Sequence, residues 1–391
     1  MKDVVIIGGG PAGNNAAFHL SSAGLDVAVV DWREQLGDKV CSGIVGKACV
    51  ERYPVDQSFI YREASSARFY SPCGEDIQMA KPGVQAYIID RVAFVASLAE
   101  KAKAAGAAYY LGRRATEIEV TGTGVTITLS SPDGSDSIEA KTVIVAAGFR
   151  TGLLSTLGLG SVGDSCVGTQ VEVATNGIEE IEVYFGKDMA PGFFGWVIPT
   201  APGKGLVGLL SRHDAGNYLQ ALITRLQSQG KISEVQGPSR RWGVPLRPLR
   251  KTYSDRVLVV GDAAGQVKPT TGGGIYYALL SAEIAASTLN RAFSKADFSS
   301  GQLRSYQTEW RKVLSKELRI GYYSRRIFEM LGDTQIDYLL NTISTNGVHE
   351  ELLNNPNVSF DWHGGFVLTA MKNGVIRKVV KSVAPLLPRR Y

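Results

Sequence analysis

The chain opens on an unbroken β-branched run, VVII at residues 4–7, with no polar alternation. Such a run is the pattern of a parallel strand buried on both faces. GGGPAG follows, then NNAAFHLSSAG with helical composition, then a second apolar run, DVAVVD. The order predicts strand, helix, strand up to Asp31. A similar arrangement returns at TYSDRVLVVGDAAG (252–265), predicted as a strand ending in Gly-Asp, followed by QVKPTTGGG and a long helical stretch, IYYALLSAEIAASTLNRAF. Between them, MAPGFFGWVIPTAPGKGLVGLL (189–210) crowds Phe193, Phe194 and Trp196 together, then passes Pro199 and a glycine-rich turn into another apolar run. Alternate residues of a strand share a face, so Phe194, Trp196 and Ile198 are expected to form one surface. Small residues at Gly195 and at Gly203–Gly208 suggest space beside that surface. From residue 301 onward the pattern is helical and rich in paired charge. The last stretch, GVIRKVVKSVAPLLPRRY, mixes Val, Ile and Leu with Arg377, Lys378, Lys381, Arg389 and Arg390.

Composition narrows the class. A chain of 391 residues, 44% hydrophobic and 20% charged, has material for two or three domains with a large core. A net charge of +5 without a concentrated Lys/Arg stripe argues against a nucleic-acid binder. Cys41, Cys49, Cys73 and Cys166 include no CxxC pair, which disfavours a disulfide framework or a zinc site and fits a reducing compartment. Four histidines without a ligand-like cluster make a catalytic metal unexpected. No apolar run reaches the roughly 18–20 residues that span a bilayer, and Asp3 with the glycines at 8–10 argues against a signal peptide. The expected location is cytoplasmic. The basic, amphipathic end leaves peripheral contact with an anionic inner membrane face open, against a plain surface helix packed on the body.

Gly8, Gly10 and Gly13 occupy the GxGxxG positions between the first strand and its helix. The first allows a tight turn, the second close backbone approach to a pyrophosphate, and the third close helix–strand packing. The helix start offers free N–H groups to phosphate, and Asp31, ending the second strand, stands where an acid can bind a ribose hydroxyl. Asp262 taken alone could be an ordinary helix N-cap. Paired with the first motif, its segment resembles the second flavin fingerprint of two-dinucleotide-fold flavoproteins, in which this acid binds the ribitol chain; the resemblance implies FAD. Gly272, Gly273 and Gly274 let backbone approach a ring, and the helix start after them favours negative charge by roughly 0.3–2 kcal/mol.

Further segments join these: KVCSGIVG (39–46), AYIIDRVAFVASLAEKAKAAGA (86–107), FFGWVIP (193–199) and KPTTGGGIYYALLSAEIAA. Together, in order and spacing, they resemble the geranylgeranyl reductase family, flavoproteins related in fold to aromatic hydroxylases of the p-hydroxybenzoate hydroxylase type. The resemblance runs from residue 1 to about residue 345. It implies an α/β fold with an α+β second domain. An FAD-binding two-dinucleotide fold would span 1–65, 82–165 and 253–300, and a mixed-sheet substrate domain 66–81 and 166–252. A helical region would span 301–391. It also implies that FAD is held by Gly8, Gly10, Ala12, Gly13, Asp31, Trp32, Arg33, Cys41, Ser42, Arg91, Ala115, Gly148, Asp262, Gly272, Gly273, Gly274 and Ile275. Phe194, Trp196, Ile198 and Tyr276 would line the substrate surface, which suits an isoprenoid lipid or another polyprenyl chain. Two departures stand out. Ala147 replaces an acid found in relatives that use NADPH directly, so the electron donor is either NADPH or ferredoxin, the latter a redox partner protein. Asp31 is one methylene shorter than the family's usual Glu.

Saturating an isolated C=C needs a hydride at one carbon, from reduced flavin N5, and a proton at the other. Cys41 is the candidate catalytic acid, with packing and redox sensing as its other readings; Tyr276 and Tyr277 could orient a proton-bearing water or simply pack. His213 and His363 have no partner visible in sequence and read as surface or capping residues. Two rival functions share these motifs. One is a flavin-dependent halogenase or monooxygenase, since FxWxIP is one aromatic substitution from a halogenase strand. The other is an electron-transfer flavoprotein that reduces no alkene.

Overall fold

The VVII run becomes the strand Lys2–Ile7, which lies inside a sheet ordered Tyr253–Ser254, Val257–Val259, Gly134–Val145, Lys2–Ile7, Val27–Val30, Ala108–Tyr110. The computed structural model describes residues 1–37, 41–132, 134–149, 151–345, 348–356 and 358–383. The neighbours from Val257–Val259 to Ala108–Tyr110 are parallel, with Ile7 in register with both Val30 and Val145. Parallel strands need crossovers, and burial on both faces explains why the strand carries no polar alternation. Two more strands, Arg114–Val120 and Val125–Ser131, extend Gly134–Val145 as an antiparallel meander. The helix Pro11–Ser22 packs against the helices Arg91–Ala104 and Ile275–Ser294. The single strand expected within 252–265, ending in Gly-Asp, is a hairpin of Tyr253–Ser254 and Val257–Val259. Arg256 turns it in a left-handed conformation (φ 61°), held by donation from its guanidinium to the carbonyls of Thr121, Gly122 and Lys141.

These elements form one compact unit, Met1–Lys39, Arg91–Ser165 and Val244–Leu318; the second comprises Val40–Asp90, Cys166–Gly243 and Arg319–Tyr391. In the second, a sheet runs Ile232–Pro245, Ser165–Thr175, Lys204–Ser211, Gly195–Pro199, Ile181–Tyr184, Ser66–Tyr70, Asp76–Ala80. From Ser165–Thr175 onward its pairs are antiparallel, except the parallel pair of Ile181–Tyr184 with Ser66–Tyr70. One face carries Val171, Val173, Val197, Val207 and Leu209 against Leu219, Leu222, Ile223 and Leu226 of the helix Ala215–Ser228. A small antiparallel sheet joins Ile44–Gly46 and Ile60–Ala64 to Ala86–Ile89, which is why residues 41–65 and 82–90 group here by contact. Residues 301–318 group with the first unit. Along the helix Ser300–Phe328, Tyr306 donates to the Val259 carbonyl at 2.8 Å and Trp310 to Thr252 Oγ1 at 2.9 Å.

Inside the second unit the Lys231 ammonium donates to both oxygens of Glu182 (2.8 and 2.9 Å), to Tyr70 OH (2.8 Å) and to Tyr184 OH (2.9 Å). Tyr70 and Tyr184 stack with centroids 4.7 Å apart. Burial, and then the Glu182 carboxylate it bonds, push the Tyr184 phenol far above its ordinary range, so it donates as a neutral hydroxyl. Removing the half-buried Lys231 leaves the charge of the buried Glu182 uncompensated. Lys231→Met is therefore expected to destabilise the protein by about 3 kcal/mol, read as a lower urea midpoint. Adding Glu182→Gln should recover part of that loss.

Candidate functional site

The first unit builds a cradle from backbone. Gly8 takes a left-handed φ of 110°, and a Cβ there would lie 2.3 Å from the Ala146 carbonyl oxygen. A Cβ on Gly13 would lie 1.8 Å from the Gly8 carbonyl oxygen. Both glycines are demanded by the chain itself. Gly10 differs, since a Cβ there would meet no atom within 4 Å. Its missing side chain keeps clear the space above the helix start, where Pro11 leads, no acid lies in the first turn and no side chain caps the N–H groups. That arrangement fits a pyrophosphate.

Asp31 is 3% exposed and accepts from Gly9 N–H at 2.7 Å and from Arg33 N–H at 2.9 Å, with Arg33 Nη1 at 3.3 Å. A carboxylate offers about four acceptor directions, so the acid pins the glycine loop and has one direction left that could take a ribose hydroxyl. Trp32, 51% exposed, lies between the guanidiniums of Arg33 (4.5 Å) and Arg114 (4.9 Å). Ala115 packs against the core of the sheet, and Gly148 is left-handed with open space at its Cβ position. Ala12 is buried, and a Cβ on Gly261 would come within 3.2 Å of its own. Arg91 donates to the Gly37 carbonyl at 2.6 Å and so holds the loop after Asp31.

Asp262 lies in the short 3-10 helix Gly261–Ala264. A Cβ on Gly274 would stand 3.0 Å from its Oδ1, placing the carboxylate at the start of the helix Ile275–Ser294. Gly272 N–H and the Gly273 carbonyl close a loop with Lys268 backbone at 2.8 and 3.0 Å. Ile275 and Tyr276 are half-buried there, and Tyr277 is core. Sequence reasoning missed the polar residues that tie the cradle together. Asn14 donates to the carbonyls of Gly9 and Val95, both at 3.1 Å, and accepts from Tyr109 OH at 3.0 Å. Asn15 donates to the Leu279 carbonyl at 2.9 Å, linking the two helices. Gln266 accepts from Gly261 N–H (2.8 Å) and donates to Tyr306 OH (2.9 Å). Their one visible signal was amides at otherwise apolar helix and turn positions.

In the second unit, the sheet face opposite the helix Ala215–Ser228 carries Trp196, in register with Gly208, which is in register with Gln170. The Gln170 amide donates to the Cys41 carbonyl at 3.0 Å, so the loop of Cys41 and Ser42 joins the sheet on this face. Cys41 is a half-buried free thiol. Gln170 Oε1 and Trp196 Nε1 are both buried with no hydrogen-bond partner. Phe194 lies 6.0 Å from Trp196, ring to ring, and Ile198 is buried. The space expected at Gly195, Gly205 and Gly208 is filled by the chain, whereas a Cβ on Gly203 would meet no atom within 4 Å. A Cβ on Gly208 would stand 2.5 Å from the Trp196 indole, on Gly195 2.7 Å from Leu222, and on Gly205 2.9 Å from Thr175. These glycines seat side chains of the sheet and its helix. His213 is exposed, and His363 precedes the helix Gly364–Ala370 with a ring nitrogen 2.8 Å from the Phe360 carbonyl. In the helix Gly374–Val383, Ile376 and Val379 pack on clusters around Leu352 and Leu331. Lys39, Val40, Arg150, Arg389, Arg390 and the side chain of Lys381 lie outside the described residues. Among the described residues no helix is long and apolar enough to cross a membrane.

Comparison with known proteins gives a consistent picture. A family model described as FAD binding domain matches residues 1–319. The digeranylgeranylglycerophospholipid reductase 2 of Methanothermobacter thermautotrophicus is 31% identical over 353 residues, 87% of this chain and 91% of that protein. Among solved structures, a geranylgeranyl bacteriochlorophyll reductase-like protein from Thermoplasma acidophilum aligns with a TM-score of 0.86 at 24% identity, covering 99% of each chain. A flavin-dependent brominase aligns with a TM-score of 0.71 at 15% identity, over 99% of this chain and 100% of its own. The two structural likenesses show the fold alone.

The glycines separate in experiment as they do in geometry. Gly13→Ala drives a methyl into backbone and is expected to cost about 3 kcal/mol of stability. Gly10→Val is expected to change apoprotein stability by no more than about 1 kcal/mol while weakening FAD binding at least about tenfold. Thermal melts of apoprotein and fluorescence titration with FAD check both; undiminished FAD affinity in the Gly10 variant would refute the cradle.

Proposed function

The chain belongs to the FAD binding domain family and, with the digeranylgeranylglycerophospholipid reductases, to one reductase family; on that premise we propose that it saturates C=C bonds in a geranylgeranyl-type isoprenoid chain. The observation that supports the reading within this chain is the hydrogen bond from Gln170 to the Cys41 carbonyl, which ties the loop of a free cysteine to the sheet face that bears Trp196. Gly8, Gly10, Ala12 and Gly13 would hold the pyrophosphate of FAD, Asp31, Trp32 and Arg33 its adenosine end, and Asp262 with Gly272–Ile275 its flavin end. Arg91, Ala115 and Gly148 would complete the cradle by fixing its loops. When bound and reduced, FAD supplies a hydride.

The chain's own residues account for the rest. Phe194, Trp196 and Ile198 offer a nonpolar surface, and burying a chain of CH₂ and CH₃ groups on it is favourable by about 0.8 kcal/mol per CH₂. The same apolar walls keep water from the reacting bond. Cys41 donates the thiol proton to the second alkene carbon and regains a proton from solvent. Tyr276 would border the same chain.

FAD-loaded protein, reduced with dithionite under anaerobic conditions, is expected to be reoxidised by a geranylgeranyl lipid, with product mass rising by two hydrogens per double bond. Cys41→Ser should slow that reoxidation about a hundredfold while FAD content stays the same. Reduced protein that no geranylgeranyl lipid or polyprenyl quinone reoxidises, yet that chlorinates an electron-rich aromatic with oxygen and halide, would replace this reading with the halogenase one.

A further inference from the structure

The aromatic surface of the second unit ends on an arginine that its own surroundings leave unsatisfied. Arg325 is 5% exposed, and its Nε and Nη1 have no hydrogen-bond partner. Its guanidinium stacks 4.6 Å from the Phe193 ring and 5.0 Å from that of Phe328. The carboxylate whose charge acts on it, Glu329, is already engaged: Arg212 Nη2 reaches its two oxygens at 2.9 and 3.0 Å, and Arg326 stands at 3.5 Å. Three guanidinium groups thus share one carboxylate. Gly192, left-handed at φ 69°, lets the turn before Phe193 close on this cluster; a Cβ there would stand 3.2 Å from Glu329 Cα. Burial pulls the Arg325 guanidinium down to about 10, with Arg212 adding repulsion against the pull of Glu329, and it still carries its charge at neutral pH. A buried charge with idle donors costs stability, and among the described residues Glu329 is the one carboxylate whose charge acts on it.

From this cluster a string of rings leads back to the substrate surface. Phe328 lies 5.4 Å from Phe185, Phe185 lies 6.5 Å from Phe194, and Phe194 lies 6.0 Å from Trp196. An apolar wall ending in surplus positive charge matches an amphiphile with an anionic end. We infer that Arg325, supported by Arg212, binds the phosphate or diphosphate group that terminates the isoprenoid substrate, donating its idle N–H groups to the phosphate oxygens. The inference rests on the reductase reading for the lipid and on geometry alone for the anion.

The test uses full-length, FAD-loaded protein. Calorimetric titration with inorganic diphosphate should show binding that Arg325→Met weakens at least about tenfold and Arg325→Lys partly restores. With reduced protein, the kcat/KM ratio of geranylgeranyl diphosphate to geranylgeraniol should fall at least about tenfold in Arg325→Met, mostly through KM. Removing an unpaired buried charge should leave the melting temperature of the anion-free protein unchanged or higher. Undiminished diphosphate affinity in the Met variant overturns the inference, as does a lowered melting temperature with affinity intact. Loss of diphosphate affinity with an unchanged lipid ratio overturns the lipid assignment and makes the site one for free phosphate. Wild-type protein that reduces neither lipid would sink the reductase reading instead, and the diphosphate titration still decides the anion site.

Discussion

Backbone touching backbone at Gly8 and Gly13 sets the geometry on which the rest of the first unit depends. With any side chain at either position, the helix Pro11–Ser22 could not begin where it does, because 1.8 Å separates a would-be methyl on Gly13 from the Gly8 carbonyl oxygen. That contact aims the helix start at the loop. It also places Asn14 against Gly9 and Val95, and Asn15 against the helix that follows Gly274. The two glycine motifs, about 260 residues apart in the chain, are joined through the Asn15–Leu279 hydrogen bond.

The second unit solves a different packing problem. Its sheet puts aliphatic residues against the helix Ala215–Ser228 and indoles on the other face. Trp196 lies on Gly208, and Trp242 lies where a Cβ on Gly168 would be 2.4 Å away. Gly208 and Gly168 each seat an indole from a neighbouring strand, so the face is densely packed there. Polar function enters at its margins, through Gln170 and the Cys41 loop on one side and the arginines around Glu329 on the other.

Much of this was legible in the residues. The glycine spacing, the acids ending strands and the aromatic alternation each obey local rules, and local rules can be read along a chain. What escaped reading depends on contacts across long separations. Asn14 bonds a carbonyl 81 positions away and Gln170 one 129 positions away, and neither leaves a periodic trace. Gly195, Gly205 and Gly208 looked like room for a guest because their fillers, Leu222, Thr175 and Trp196, come from a neighbouring helix or strand. The hairpin at 253–259 was hidden because Arg256 adopts a backbone conformation usually left to glycine, and three distant carbonyls compensate it. Arg325 sits in a helical stretch rich in paired charge, where an arginine without a carboxylate partner looks like any other.

Asp31 and Arg91 have a consequence for how the prosthetic group arrives. Gly9 is held by the Asp31 carboxylate and Gly37 by the Arg91 guanidinium, so the loop's shape is maintained by bonds internal to the polypeptide. A cofactor entering between loops already held in this way would pay little ordering entropy. Protein stripped of flavin should keep its architecture and regain colour at a rate set by encounter, without a slow refolding phase.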